Sequence, residues 1–367
     1  MVLTYKPDFE QTKIRWRHFW NKEVYKRPII LAGCYKEGIN KQFPDVFSLR
    51  YYRGYNELWQ EQIDLFNEWA ECFDFVGDGI PSFSPDFGPD QFSAFYGAKL
   101  RFSEHSKHTS LTEPIIGNWN KFLPLKFDPS NETFQKLVAY VRFIAKDAKG
   151  KYLVSDIDRH SNIDTLLALR GAEKLCMDLY DNPELIEQAM LSLRKEFPLI
   201  SDMLYKAGID NDGLGTTVSW TGGFYSEKNF GVVQADFICM MSPEMFRKFV
   251  LPALEEEIEY YDYSYFHLDG PGALKHLDDI LSIKKLSVLQ WQPGDGQKPN
   301  FQWLEILKKA QKAGKAVHVF GNSMQPLTAE IVKKLHKELD PTLVVYDGIP
   351  IKDRKEFENL SSWLEKN

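Results

Sequence analysis

From residue 263 to the end of the chain, short apolar runs closed by Gly, Asp, Asn or Pro alternate with longer charged amphipathic stretches. This alternation constrains the fold more than any other feature of the sequence. Residues 263–268 precede a helical stretch at 273–281, 286–291 precede 301–313, 316–320 precede 328–339, and 343–346 precede a terminal helix from about 353. Strand–helix units in series favour a parallel sheet covered by helices over a sandwich or a bundle. Upstream, residues 27–33 read as a strand, 57–73 as a helix and 73–76 as the next strand. A helix at 132–148 then leads to a strand at 152–155, and a long helical region at 162–207 is punctuated by Asp181-Asn182-Pro183. The stretch 77–120 is rich in Pro, Gly and Phe without clean periodicity, which marks a long loop or insertion. The predicted fold is α/β: one (β/α)8 TIM-type barrel domain over residues 1–367, with an extended βα loop insertion at roughly 77–120.

Composition bounds the function. The 367 residues exceed the roughly 250 that a barrel needs, and 43 % hydrophobic residues suffice for a sizeable core. A formal charge of −7 offers no basic field for a nucleic-acid backbone. Cys34, Cys72, Cys176 and Cys239 lack CxxC spacing, so they read as buried thiols in a reducing compartment. Pro7 and frequent charges interrupt the N-terminal stretch, and no run approaches the roughly 18 apolar residues of a membrane span. The expected location is therefore cytoplasmic.

In a parallel barrel the residues just after each strand surround one mouth, where catalytic groups collect. The candidates there are His267-x-Asp269, Gln290-Trp291, Asn322 and Asp347. Alternation along a strand points His267 and Asp269 to one face, where they could share a metal, a proton or a substrate. The plainer alternative is a satisfied barrel histidine followed by a helix-capping aspartate. Asp236 precedes a Ser242-Pro243-Glu244 helix start and is either a site acid or a solvated loop group. Asn322 and Asp347 can supply hydrogen bonds or simply form turns. Phe83, Phe87, Phe92, Phe95, Tyr96, Trp119, Trp220, Phe224, Tyr225 and Trp291 fall in predicted loops or strand ends, which suggests an apolar cavity for a planar or bulky ligand. The sequence carries no glycine-rich phosphate loop, GxSxG elbow or structural-zinc cysteine pattern.

At FHLDGPGALKHLDDI (266–280), LQWQPGDG (289–296) and VFGNSMQP (319–326) the chain resembles the uroporphyrinogen decarboxylase superfamily. DFICMMSPEMFRKFVLP (236–252) and FGPDQFSAFYGAK (87–99) are similar to further segments of it. That superfamily contains porphyrinogen decarboxylases and methyltransferases that work with corrinoid proteins. The decarboxylases carry an arginine-rich N-terminal signature that binds substrate carboxylates; here the corresponding residues, Arg27 to Tyr35, lack those arginines. The thiol-methylating relatives hold zinc with a His-x-Cys pair and a distant Cys; here the pair is His267-x-Asp269, and Ser323-Met324 follow Gly321-Asn322. Losing soft sulfur ligands leaves a harder, oxygen-rich site.

The resemblance implies a corrinoid-linked methyltransferase that moves a methyl group between a small methylated compound, or a folate or thiol acceptor, and a separate corrinoid protein. His267, Asp269 and Asp236 would be catalytic, His267 and Asp269 would ligate a divalent metal such as zinc, and Gln290, Trp291, Asn322, Trp220 and Asp347 would line the substrate pocket. The expected partners are a small molecule, a corrinoid protein and a second copy of the chain as a homodimer. The alternatives are a decarboxylase-like lyase acting on a tetrapyrrole or another carboxylated substrate, and a non-catalytic ligand-binding barrel.

Overall fold

The computed structural model describes residues 2–39, 41, 43, 46, 49–102, 109–322 and 324–367. The strands that organise it are β1 (Ile29–Leu31), β2 (Ser82–Phe83), β3 (Leu153–Val154), β4 (Phe230–Gln234), β5 (Tyr263–Asp269), β6 (Val288–Gln292), β7 (Ala316–Phe320) and β8 (Val344–Asp347). Six of them form one parallel sheet in the order β1-β8-β7-β6-β5-β4. Successive strands from β4 onward are neighbours, as helical crossovers between parallel strands require. β2 and β3 pair with each other in parallel. Backbone N–H groups of Gly77 and Asp78 donate to Ala32 and Ile30 across from β1, and Asp156 donates to Thr217. The observed architecture is thus a mixed α/β fold around a six-stranded parallel sheet, with a shorter parallel pair in the first half.

The register sets what each strand offers. Gln234 lies opposite His267, His267 opposite Gln290, and Gln290 opposite His318, so four strands contribute one polar row. Alternate residues face the other way. Leu268 and Trp291 form the next rung, are wholly buried, and join the apolar layer between sheet and helices. That layer receives the helices Leu251–Tyr260, Leu304–Lys312 and Arg354–Lys366 through Leu254, Leu307 and Leu360. No helix among the described residues is long and apolar enough to cross a membrane.

Two sequence expectations change. Residues 77–120 are not structureless: they hold β2, the helix Gln91–Phe95 and an antiparallel pair, Leu100–Arg101 with Leu111–Thr112; residues 103–108 lie outside the described residues. The aromatic residues read as a cavity lining are mostly core. Phe83, Phe87, Phe92, Phe95, Trp119, Phe224, Tyr225 and Trp291 are at most 5 % exposed. They are spent on one another and on neighbouring rings, as where Phe87 stacks on Tyr140 and Phe224 meets Tyr265 edge to face. Only Tyr96 and Trp220 of that set are partly exposed.

The segment after β3 is fixed by buried polar contacts. Asp156 takes both Arg159 Nε and Nη2 at 2.8 Å, and Glu257 accepts from Ser161 Oγ at 2.8 Å and Asn162 Nδ2 at 3.0 Å. Burial pushes the Glu257 carboxyl up to about 7, against its hydrogen bonds and Arg159. The native state therefore binds this proton more tightly than the unfolded chain, and stability falls as pH rises from the ordinary carboxylate range through 7. Glu257→Gln should raise stability at pH 8 by on the order of 2 kcal/mol and leave it little changed at pH 4. Denaturant melts at the two pH values check this; an equal effect at both would remove the titration as its cause.

Candidate active site

The polar row of β4 to β7 carries the site's hydrogen-bond direction. His267 Nδ1 bonds Gln290 Oε1. An amide oxygen only accepts, so the His267 proton sits on Nδ1 and the Nε2 lone pair is free in the neutral ring. His318 Nε2 lies 3.0 Å from Asp347 Oδ2 and Nδ1 lies 2.7 Å from the Tyr265 hydroxyl. Its Nε2 therefore donates to Asp347, and in the neutral ring Nδ1 accepts from Tyr265. Trp220 stands edge-on to His267, with ring centroids 5.4 Å apart, and to Tyr265 at 6.2 Å.

Asp236 begins the 3-10 turn Asp236–Met240 directly after β4. One atom each of Asp236, His267 and Asp269 lies within 4.8 Å of the others, close enough for one ion to take an imidazole nitrogen and two carboxylate oxygens. Asp236 Oδ1 is buried and has no hydrogen-bond partner. Burial, then the neighbouring Asp164 carboxylate, pushes Asp236 up to about 6, while His267 and His160 pull the other way.

The structure adds a second group. Asp164 accepts from the backbone N–H of Asp236 and of Phe237, both at 2.9 Å, so one carboxylate fixes the turn that carries Asp236. His160 Nδ1 lies 3.0 Å from Asp164 Oδ2 and its Nε2 lies 3.5 Å from Asp158 Oδ2. Burial alone would push the imidazole down, but Asp158 and Asp164 on either side hold it well above the ordinary histidine range. Gln234 Nε2 donates to Asp158 Oδ1, which joins this group to the polar row. His160, Asp164 and Asp236 also lie within 4.8 Å of one another. Both His160 nitrogens already face carboxylates, so this set is an ion-pair network around an imidazolium rather than a ligand set.

The structure therefore brings Asp236, His267, Asp269, Gln290 and Trp220 together, and joins Asp347 to them through His318. Trp291 departs from expectation: it lies on the opposite face of β6 from Gln290 and packs on Trp303 at 5.3 Å, in the core. Asn322 is also apart; its Oδ1 accepts from the backbone of Met324 and Gln325 and shapes the turn after β7. Ser323 lies outside the described residues. Sequence reasoning missed Asp158, His160, Asp164, Gln234 and His318. The run Asp156-Ile157-Asp158-Arg159-His160 directly follows a strand and meets the same strand-end criterion that singled out His267.

No family model matches the chain, and no curated protein matches it. Among solved structures, a methyltransferase from Methanosarcina mazei is similar in fold, with a TM-score of 0.59 over 97 % of this chain and 98 % of that one, at 12 % identity.

His160 should be doubly protonated at neutral pH, and Asp158→Asn should move its titration downward, because one of the two flanking charges is lost. Imidazole nitrogen shifts in labelled protein read this directly. A neutral His160 ring at pH 7 in the wild type would refute the ion-pair assignment.

Proposed function

We propose that this chain is a methyltransferase of the uroporphyrinogen decarboxylase superfamily. Its eight strands would make a single (β/α)8 barrel domain that exchanges a methyl group between a small methylated compound and a corrinoid carried by a separate protein. The observation that carries the reading is the Asp236–His267–Asp269 constellation at the carboxyl ends of β4 and β5, in a chain whose fold runs the full length of a methyltransferase structure. The motifs FHLDGPGALKHLDDI and VFGNSMQP support the superfamily. A reducing, cytoplasmic setting and a homodimer belong to the same proposal.

The residues fit a divalent ion. Asp236 Oδ1 is buried without a partner, and the donors converge within 4.8 Å. One nitrogen and two carboxylate oxygens form a harder set than a thiolate site, suited to zinc or to a more oxygen-seeking ion. His267 would bind through Nε2, since Gln290 holds Nδ1. A bound ion would act as a Lewis acid on the heteroatom that carries or receives the methyl group. In demethylation the methyl would leave without its bonding pair for the nucleophilic corrinoid of the separate protein, which would supply the pair for the new bond, while the heteroatom keeps the old pair and takes a proton. The His160 imidazolium, one of whose ring nitrogens lies within 4.8 Å of an Asp236 carboxylate oxygen, would be the proton source, and Gln234 would keep its Asp158 partner in place. Trp220 packs edge-on against His267 and would limit the water that reaches it.

Purified wild type should carry about one divalent ion per chain. Asp236→Ala, His267→Ala and Asp269→Ala should each lose most of it while remaining folded. Gln290→Leu should weaken metal binding by about 10- to 100-fold through loss of the Nδ1 partner. Elemental analysis with a chelator competition checks both, and absorbance changes on mixing with a methylated cobamide follow the transfer itself. Active, folded wild type without metal would end the metal-assisted reading.

A further inference from the structure

A cavity of about 480 Å³ lies at the carboxyl ends of β1 and β8, walled by Trp69, Phe73 and Phe75, with Arg50 and Asp347 at its edge. This volume is in the range of small-molecule sites. Its Asp347 wall is the carboxylate that takes the His318 proton, and His318 Nδ1 lies 3.5 Å from Gln290 Nε2, next to His267. The cavity therefore abuts the hydrogen-bonded chain that leads to the candidate active site. Gly222 packs against that wall, where a Cβ would clash with the Asp347 carboxylate.

Arg50 is unlike the other arginines. Apart from the exposed Arg142, each of the others lies within ion-pair distance of a carboxylate. Arg50 is partly buried and donates to the Tyr51 hydroxyl at 2.7 Å; no carboxylate among the described residues lies within ion-pair distance of it. A guanidinium that lines a cavity, lies over the Tyr51 ring and has no carboxylate partner among the described residues suits a planar, bidentate acceptor. Aromatic walls suit a flat apolar body. Asp347 in the same cavity, with Asp86 and Asp158 in reach of the Arg50 charge, would repel a second anionic group.

We infer that this cavity is a carboxylate subsite: Arg50 anchors the single carboxylate of a monocarboxylic substrate whose apolar body packs on Trp69, Phe73 and Phe75 and whose methyl-bearing end extends past Asp347 toward the Asp236–His267–Asp269 site. The inference deepens the methyl-transfer reading and rests on it only for which end of the ligand reacts. The anchor gives the reaction its substrate class, a methylated monocarboxylic acid, and disfavours di- and polycarboxylates.

Calorimetric titration of the purified full chain tests this with a panel of monocarboxylates from acetate to 4-methoxybenzoate, each beside its neutral amide, and with terephthalate. At least one monocarboxylate should bind about tenfold or more tightly than its amide, and terephthalate should bind more weakly than 4-methoxybenzoate. Arg50→Gln should lose on the order of tenfold or more, and Arg50→Lys should keep part of the affinity, since the charge remains but the fork does not. Thermal melts of both variants confirm that they fold. Equal binding of acids and amides, unchanged binding in Arg50→Gln, or no binding of any panel member by about 10 mM would overturn the inference. The titration uses neither metal nor corrinoid. Loss of the metal reading with carboxylate binding intact, or the reverse, therefore separates the two failures.

Discussion

The Asp164 carboxylate, gripping the backbone N–H groups of Asp236 and Phe237, is the interaction on which the site depends. It ties the helix that follows β3 to the turn after β4, two elements far apart in sequence. Backbone donors at the start of a turn need an acceptor when they leave the sheet, and a buried carboxylate that accepts several bonds is held in its charged form. The same oxygen that fixes Asp236 also holds His160, so the position of the acid and the charge beside it are set together. The apolar core around Phe237, Ile238 and Phe246 closes over this junction.

The second constraint is register. A parallel sheet with Gln234, His267, Gln290 and His318 on one row presents two histidines and two amides side by side. An amide between two imidazoles can orient both, since it has an acceptor for one and a donor for the other. Gln290 orients His267 through Oε1, while its Nε2 lies 3.5 Å from the His318 Nδ1 that the Tyr265 hydroxyl holds. The free His267 lone pair and the donation of His318 to Asp347 follow from that geometry. A slip of one residue in any of these strands would exchange the row for Leu268 and Trp291 and place apolar side chains in the site.

Much of the C-terminal half is legible in the sequence because its strands are continuous apolar runs followed by charged amphipathic helices, and residues 316–320 form a strand as the pattern predicts. His267, Asp269, Asp236 and Gln290 come together for the same reason: strand-end position is a local property. The first half is harder to read. β2 and β3 have two residues each, and the hairpin Thr216–Val218 with Phe224–Ser226 went unseen before β4. Asp158, His160 and Asp164 become site residues only through contacts across more than 70 positions. Trp291 and most of the other aromatic residues, though not Trp220, lie in the core rather than at a cavity, because proximity to a loop does not reveal which face of a strand a ring occupies. Arg50 has no motif at all; its distinction is the lack of a carboxylate partner among the described residues, which only three dimensions can display.

The account centres on one ion held by one imidazole and two carboxylates. X-ray absorption at the metal edge of protein as purified measures that shell directly. The predicted result is nitrogen and oxygen scatterers at roughly 2.0–2.2 Å with an imidazole signature and no sulfur. A sulfur scatterer near 2.3 Å, or a metal shell unchanged in His267→Ala, would place the ion elsewhere and contradict the account.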